Sequence, residues 1–406
     1  MCPEPYVSPD PSPPLTPATV ALLAGSCGVA VSTLYLNQPL LALIAASFGT
    51  TAAHVAPVST ATQLGYAAGL MLLGPLGDRA PRKPLIVLLA CGLTLMLLGA
   101  AAAPNLAVLT GASLLLGITA TLVQQIVPLT AQLAPDERRG RTVGTVMSGL
   151  LFGILGGRVV AGFAGEALGW RAVFAGTAVL VAGLAAVLAW RLPSPRPTTR
   201  AAYGPLLISV VELAARHRTL RAASMSGALL FAAFSVFWVA LTPLLTSAAF
   251  GLDARAAGLF GLFGVAGAMV APMAGRMSDQ YGPVRVLSGG IGLVLAAFVV
   301  FALSGRSLIG LALGTVLLDA GIQAALIANQ GRIFALDAGA RSRINAFFMT
   351  IYFLGGASGS LTAGAAWARF GWTGAVTAGF AFTAAAAAAL AHMVAGHRRP
   401  ARVRIA

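Results

Sequence analysis

Only two charged residues of this 406-residue chain, Asp319 and Arg158, lie deep inside long apolar runs. A charge at the centre of a bilayer costs at least about 2.5–3.5 kcal/mol on insertion scales, so one retained there marks function or a pair that locks helices. Two chemistries fit: a carboxylate that takes up and releases a proton beside an arginine counter-charge, or a static ion pair. The predicted spans 142–165 and 307–333 run in opposite directions. Arg158 is 16 residues from the start of the first and Asp319 is 14 residues from the end of the second. At 1.5 Å per residue, that is roughly 24 and 21 Å from the same surface. Equal depth and opposite sign predict that the two pair when the site is empty and that proton or solute binding to Asp319 releases Arg158.

Asp319, Gln323 and Gln330 fall within about 40° of one helical face, a polar stripe that must meet water or a partner rather than lipid. Further polar and aromatic candidates for a solute path are Tyr35, Asn37, Gln38, Gln124, Gln125, Phe234 and Trp238. Hydrogen bonding between helices explains each single polar residue equally well. The aromatic rings favour a partly apolar solute. No enzymatic constellation is present: His54, His217, His392 and His397 sit near predicted helix ends or in loops, without metal-ligand spacing. There is no phosphate-binding loop signature, so nucleotide hydrolysis is not the energy source, and no cofactor or metal is expected.

The elements that position these residues are membrane spans. The chain is 58% hydrophobic and 9% charged, against roughly 25% charged in soluble domains. Runs of about twenty apolar residues, each enough to cross a bilayer, recur from end to end. The expected architecture is all-α and polytopic, with 12 transmembrane helices in two pseudo-symmetric six-helix bundles. Residues 18–192 form the N-terminal bundle, 193–220 a linker with a short surface helix, and 221–395 the C-terminal bundle. Residues 1–17, rich in proline and lacking a basic signal-peptide start, read as a disordered cytoplasmic tail, and 396–406 as a basic one. Of the 26 Lys and Arg residues, 21 fall in loops and tails on one side and 4 on the other, which predicts that both termini are cytoplasmic. The net charge of +15 is dispersed in short loops, so no nucleic-acid face is expected.

The two halves repeat. Asp78 in GPLGDRAPRK and Asp279 in GRMSDQYGPVR are 201 residues apart. Arg139 and Arg341, like Gly169-Trp170 and Gly371-Trp372, are 202 apart. Parallel repeats place a solute path at their interface near the midplane.

With these motifs the chain resembles the major facilitator superfamily, and a drug-efflux and arabinose-efflux-permease-like bacterial branch of it. Gly74, Leu76, Gly77, Asp78, Arg79, Arg82 and Lys83 match that superfamily's loop signature, with Pro81 in place of a glycine. The resemblance implies a transporter, not an enzyme, in a bacterial plasma membrane, with a small-molecule substrate, protons and the lipid bilayer as partners. It also implies a cavity lined by spans 1, 4, 7 and 10. The loop residues, with Gly275, Asp279, Arg139 and Arg341, would form a cytoplasmic gate. Two departures stand out: Ser113 replaces a frequent arginine, and Arg158 stands where antiporters of this type carry a hinge proline. The expected function is proton-coupled export of small amphipathic compounds by a monomer. Import by symport, and a membrane-embedded lipid-modifying enzyme, stand as alternatives; the enzyme would need a second convergent catalytic group.

Overall fold

The computed structural model describes residues 16–135, 138–193, 202–304, 307–337 and 340–397, without the side chains of Asp78, Ala268 and residues 395–397. Residues 1–15 and 398–406 of the predicted tails and residues 194–201 of the predicted linker lie outside the described residues; the short linker helix is present as Tyr203–Arg216. In the first half the helices are α1 (Pro17–Ser32), α2 (Asn37–Ser47), α3 (Ala52–Leu73), α4 (Leu76–Arg79), α5 (Arg82–Ala101), α6 (Leu106–Ala120), α7 (Val123–Leu133), α8 (Arg139–Leu168) and α9 (Trp170–Arg191). In the second they are α10 (Tyr203–Arg216), α11 (Arg218–Leu245), α12 (Ala254–Ala268), α13 (Ala271–Tyr281), α14 (Pro283–Ser304), α15 (Leu308–Phe334) and α16 (Arg341–His397). Nine described stretches are long and apolar enough to cross a membrane, and the bent pair α1–α2 makes a tenth. The polar residues Ser59, Thr60, Thr62 and Gln63 keep the 22-residue α3 out of that set. The 57-residue α16 is two helices that meet at Gly371. All twelve expected crossings are therefore present as helices.

Three expected spans are broken, one of them (255–278) at Met269–Val270 between α12 and α13. The first was predicted as continuous over 18–46, yet α1 and α2 meet at 41°. Ser32 and Thr33 turn their hydroxyls onto the carbonyls of Val29 and Ala30, both at 2.7 Å, which competes with regular helix geometry. Pro39 lacks the N–H that would bond Tyr35 and its ring crowds that carbonyl. The back-bonded Thr121, whose hydroxyl donates to Ile118 O, stands at the matching break between α6 and α7.

Apolar burial gives little drive between helices already in lipid, so close backbone approach has to hold them. A Cβ built on Gly153 of α8 would lie 2.0 Å from Gly28 O of α1, and one on Gly355 of α16 would lie 2.2 Å from Ala228 O of α11. The two contacts occupy corresponding places in the two halves. The arginines that repeat at an offset of 202 do one job twice: Arg139 Nε donates to Ala131 O at 2.9 Å, and Arg341 Nε to Phe334 O at 3.1 Å. Each places its cation on the carbonyl end of the preceding span, where the helix dipole favours it.

Helix α10 touches both halves. The Tyr203 hydroxyl donates to Leu72 O of α3, Arg343 of α16 donates to Ser209 Oγ at 3.1 Å, and Arg221 closes the α10 carbonyl end at Ala214 and Ala215. The duplicated turns need glycine: Gly169 has φ +83° and Gly371 has φ +56°. Gly371→Ala should lower the unfolding free energy in detergent by on the order of 1–3 kcal/mol. Gly275→Ala, whose Cβ would meet nothing within 4 Å, should be neutral or slightly stabilising; equal effects of the two would contradict the strained-turn reading.

Candidate functional site

Arg158, 1% exposed, lies on α8 where that helix crosses α12. Its Nε donates to Gln38 Oε1 at 3.1 Å. The guanidinium carbon lies 3.9 Å from the Trp238 ring centroid, 4.7 Å from that of Tyr35 and 5.8 Å from that of Phe234. Cation–π attraction of this kind is strongest where water is excluded. The break between α1 and α2 is what brings Tyr35 and Gln38 inward, and Thr242 of α11 fixes it by donating to Gln38 O at 2.8 Å. Helix α11 supplies Phe234 and Trp238 because it is buried all round.

Asp319, 7% exposed, faces the same helix α12 from the other side. The run GLFGLFGVAG places Gly258, Gly261, Gly264 and Gly267 at every third position of α12. Steps of three on a 3.6-residue helix rotate the glycines gradually around its axis. A Cβ on Gly258 would lie 2.8 Å from Arg158 O, and one on Gly261 would lie 3.3 Å from Arg158 Cβ. On Gly264 it would lie 3.2 Å from Asp319 Oδ1, and on Gly267 2.5 Å from Asp319 Cβ. One stripe of bare backbone thus seats both charges about a turn or two apart.

The direct pair expected from equal depth is not made. Arg158 Nη1 and Nη2 and Asp319 Oδ2 have no hydrogen-bond partner among the described residues. Depth fixes height along the bundle but not position around it, and α12 packs against both side chains.

The other predicted residues divide. Asn37 donates to Thr62 Oγ1 at 3.1 Å and accepts from Ser59 at 3.0 Å, so it braces α2 against α3. Gln124 donates to the Tyr66 hydroxyl at 3.1 Å. Gln125 donates to Leu73 O at 2.9 Å, and its side chain fills the space over Gly77, next to the loop signature. Gln323 and Gln330 are half-buried on the Asp319 face, with no hydrogen bond to another described residue. Gly74 ends α3 and approaches Ala346 of α16. In the same loop Arg79 is exposed, Lys83 half-buried and Arg82 buried; the Asp78 side chain lies outside the described residues. In the second copy Gly275 faces open space and Asp279 is exposed.

Sequence reasoning missed Gln63. It donates to Ser360 Oγ at 2.9 Å and accepts from Ser235 at 3.4 Å, which ties α3 to α16 and α11 across the halves. Ser360 lies 202 residues beyond Arg158, so the repeat itself was a signal. Glu166 was also missed: its Oε2 accepts from Ala254 N–H at 3.3 Å, a carboxylate of α8 at the start of α12. Among the described residues no group of three or more His, Cys, Asp or Glu gathers.

The comparisons agree with this fold. Residues 22–211 match the model of the Major Facilitator Superfamily. The uncharacterized transporter YgaY of Escherichia coli O157:H7 is 39% identical over 369 residues, 90% of this chain and 93% of that one. The chloramphenicol efflux pump Rv0191 of Mycobacterium tuberculosis is 30% identical over 227 residues, 55% of this chain and 53% of that one. Among solved structures, an inward-facing, occupied bacterial homologue of the human lysosomal transporter Spinster superposes with a TM-score of 0.74 at 14% identity, covering 94% of this chain and 96% of that one. The fold and site define a polytopic membrane transporter. The chain belongs to the Major Facilitator Superfamily, and it is a transporter rather than an enzyme.

The close α8–α12 seam makes a prediction. A Cβ on Gly162 would lie 2.6 Å from Ala254 O, so the two backbones touch there. Gly258→Val should pry the helices apart and expose a cysteine placed at 254, where the native alanine is 2% exposed. Labelling of that cysteine by a membrane-impermeant thiol reagent should rise several-fold; unchanged labelling would show that the seam does not depend on glycine.

Proposed function

We propose that this transporter is secondary active and exports small amphipathic compounds in exchange for protons, by rocking of its two six-helix halves (18–192 and 221–395) about the seams α3–α16 and α8–α12. The observation that carries the reading is the Asp319–Arg158 site. Two buried charges of opposite sign face one glycine stripe, on helices from different halves, and both keep hydrogen-bonding capacity unspent. A carboxylate in such a place changes its proton affinity with its distance from the arginine and with its access to water. Rocking moves α8 relative to α15, and so alters both. An efflux pump among the relatives favours export.

In this reading the aromatic surround of Tyr35, Phe234 and Trp238 takes the apolar part of the solute, and Gln323 and Gln330 line the path below Asp319. The basic loops, with Arg79, Arg82, Lys83, Arg139 and Arg341, face the cytoplasm of a bacterial cell, and Asp78 and Asp279 help to hold that end closed. The chain works as a monomer in the plasma membrane with both termini inside.

The test is transport in everted vesicles under an imposed pH gradient, with substrates taken from a growth screen of a compound library. The wild type should concentrate substrate and dissipate the gradient as it does so. Asp319→Asn should bind substrate yet lose gradient-driven accumulation by at least about ten-fold. Accumulation by that variant at the wild-type rate would move the coupling site elsewhere.

A further inference from the structure

Which solutes the site can hold follows from the hydrogen-bonding capacity around Arg158. Its Nη1 and Nη2 are fully enclosed and unpartnered, while Nε is already committed to Gln38. The indole Nε1 of Trp238, whose ring lies against the guanidinium, is likewise buried and unpartnered. Three donor groups therefore stand without acceptors in one place. Across α12, Asp319 Oδ2 is a buried acceptor that is also unpartnered among the described residues. That carboxyl is recessed, with its Cβ and Oδ1 against the backbone of Gly267 and Gly264.

The surplus has a shape. Two terminal nitrogens of one guanidinium form a planar fork that matches two oxygens on a single atom, as in a carboxylate or a nitro group. The rings around the fork extend into a larger aromatic wall: Phe231 stacks on Tyr352 at 4.1 Å between centroids and on Phe234 at 5.4 Å. A flat apolar body would lie against that wall while its oxygens meet the fork. A cationic amphiphile would find one recessed carboxylate and, across the same helix α12, a fixed positive charge. In a low-dielectric centre, repulsion from Arg158 offsets the attraction of Asp319.

We infer that the site recognises aryl compounds whose polar end is a pair of oxygen acceptors, held by Arg158 Nη1 and Nη2 with Trp238 Nε1 alongside, and that it disfavours amphipathic cations. The inference rests on the transporter reading above, since the solute reaches these groups only when the halves part. It concerns binding, however, and is read without flux.

The experiment measures ligand-induced thermal stabilisation of the purified full chain in nanodiscs, with three matched probes: naphthalene-2-carboxylate, 2-nitronaphthalene and 2-naphthylmethylammonium. The carboxylate and the nitro compound should stabilise the wild type at concentrations at least about ten-fold lower than the ammonium. Arg158→Gln should abolish the difference, and Arg158→Lys should keep some preference for the carboxylate while losing that for the nitro compound. Tighter or equal binding of the ammonium overturns the inference, as does a wild type that binds none of the three or an unchanged ranking in Arg158→Gln. The wild-type ranking decides the matter even if a variant fails to fold. If the ranking holds while Asp319→Asn still drives accumulation, the recognition stands and the coupling assignment falls.

Discussion

Two charges held away from water set the terms for the rest of this molecule. Burying an ion costs several kcal/mol even after relaxation, and removing one partner leaves the other uncompensated. The protein offsets that cost for Arg158 with one hydrogen bond from Nε and three ring faces, whereas for Asp319 the glycines of α12 provide room and no donor. Neither solution is complete, since Nη1, Nη2 and Oδ2 stay unbonded. A structural lock would satisfy those atoms; a site that exchanges protons and solute has to leave them available. The break between α1 and α2, the fully buried α11 and the glycines of α12 are each explained by the need to bring partners to these two side chains.

The repeat shows how one scaffold was turned to this use. In the first half Gly117 of α6 admits the backbone of α3, because a Cβ there would lie 2.1 Å from Thr62 O. The positions 202 residues on are Asp319 and Gly264, so small and large have changed sides. Glycine on α12 makes room for the carboxylate on α15. At the other seam Ser360 replaces the arginine, and Gln63 bonds it at 2.9 Å. One interface between the halves carries charge and the other a neutral hydrogen bond.

Most of the fold was legible in the sequence, because bilayer thickness sets the length of each apolar run. The breaks near Thr33 and Thr121 were not, since a proline and a back-bonding hydroxyl are local events inside an otherwise apolar pattern. Asp319 and Arg158 were found by depth alone. Their contact is not made in this structure, and depth carries no information about position around the bundle. Tyr35, Gln38, Phe234 and Trp238 do converge on the arginine, whereas Asn37, Gln124 and Gln125 spend their amides on neighbouring helices. The glycine stripe stood in plain view as GLFGLFGVAG, but small residues are common at every membrane-helix contact. Only the position of α12 between α8 and α15 gives that spacing its meaning.

The central claim is that Arg158 and Asp319 act as one electrostatic unit across α12 although they do not touch. A double-mutant cycle on unfolding free energy in detergent, using Arg158→Gln, Asp319→Asn and the double variant, tests it most directly. Each single variant strands the remaining charge, so the double should be less destabilised than the sum of the two, with a coupling of about 1–3 kcal/mol. Additivity within roughly 0.3–0.5 kcal/mol, the margin for independent sites, would show two separate buried charges and no shared site.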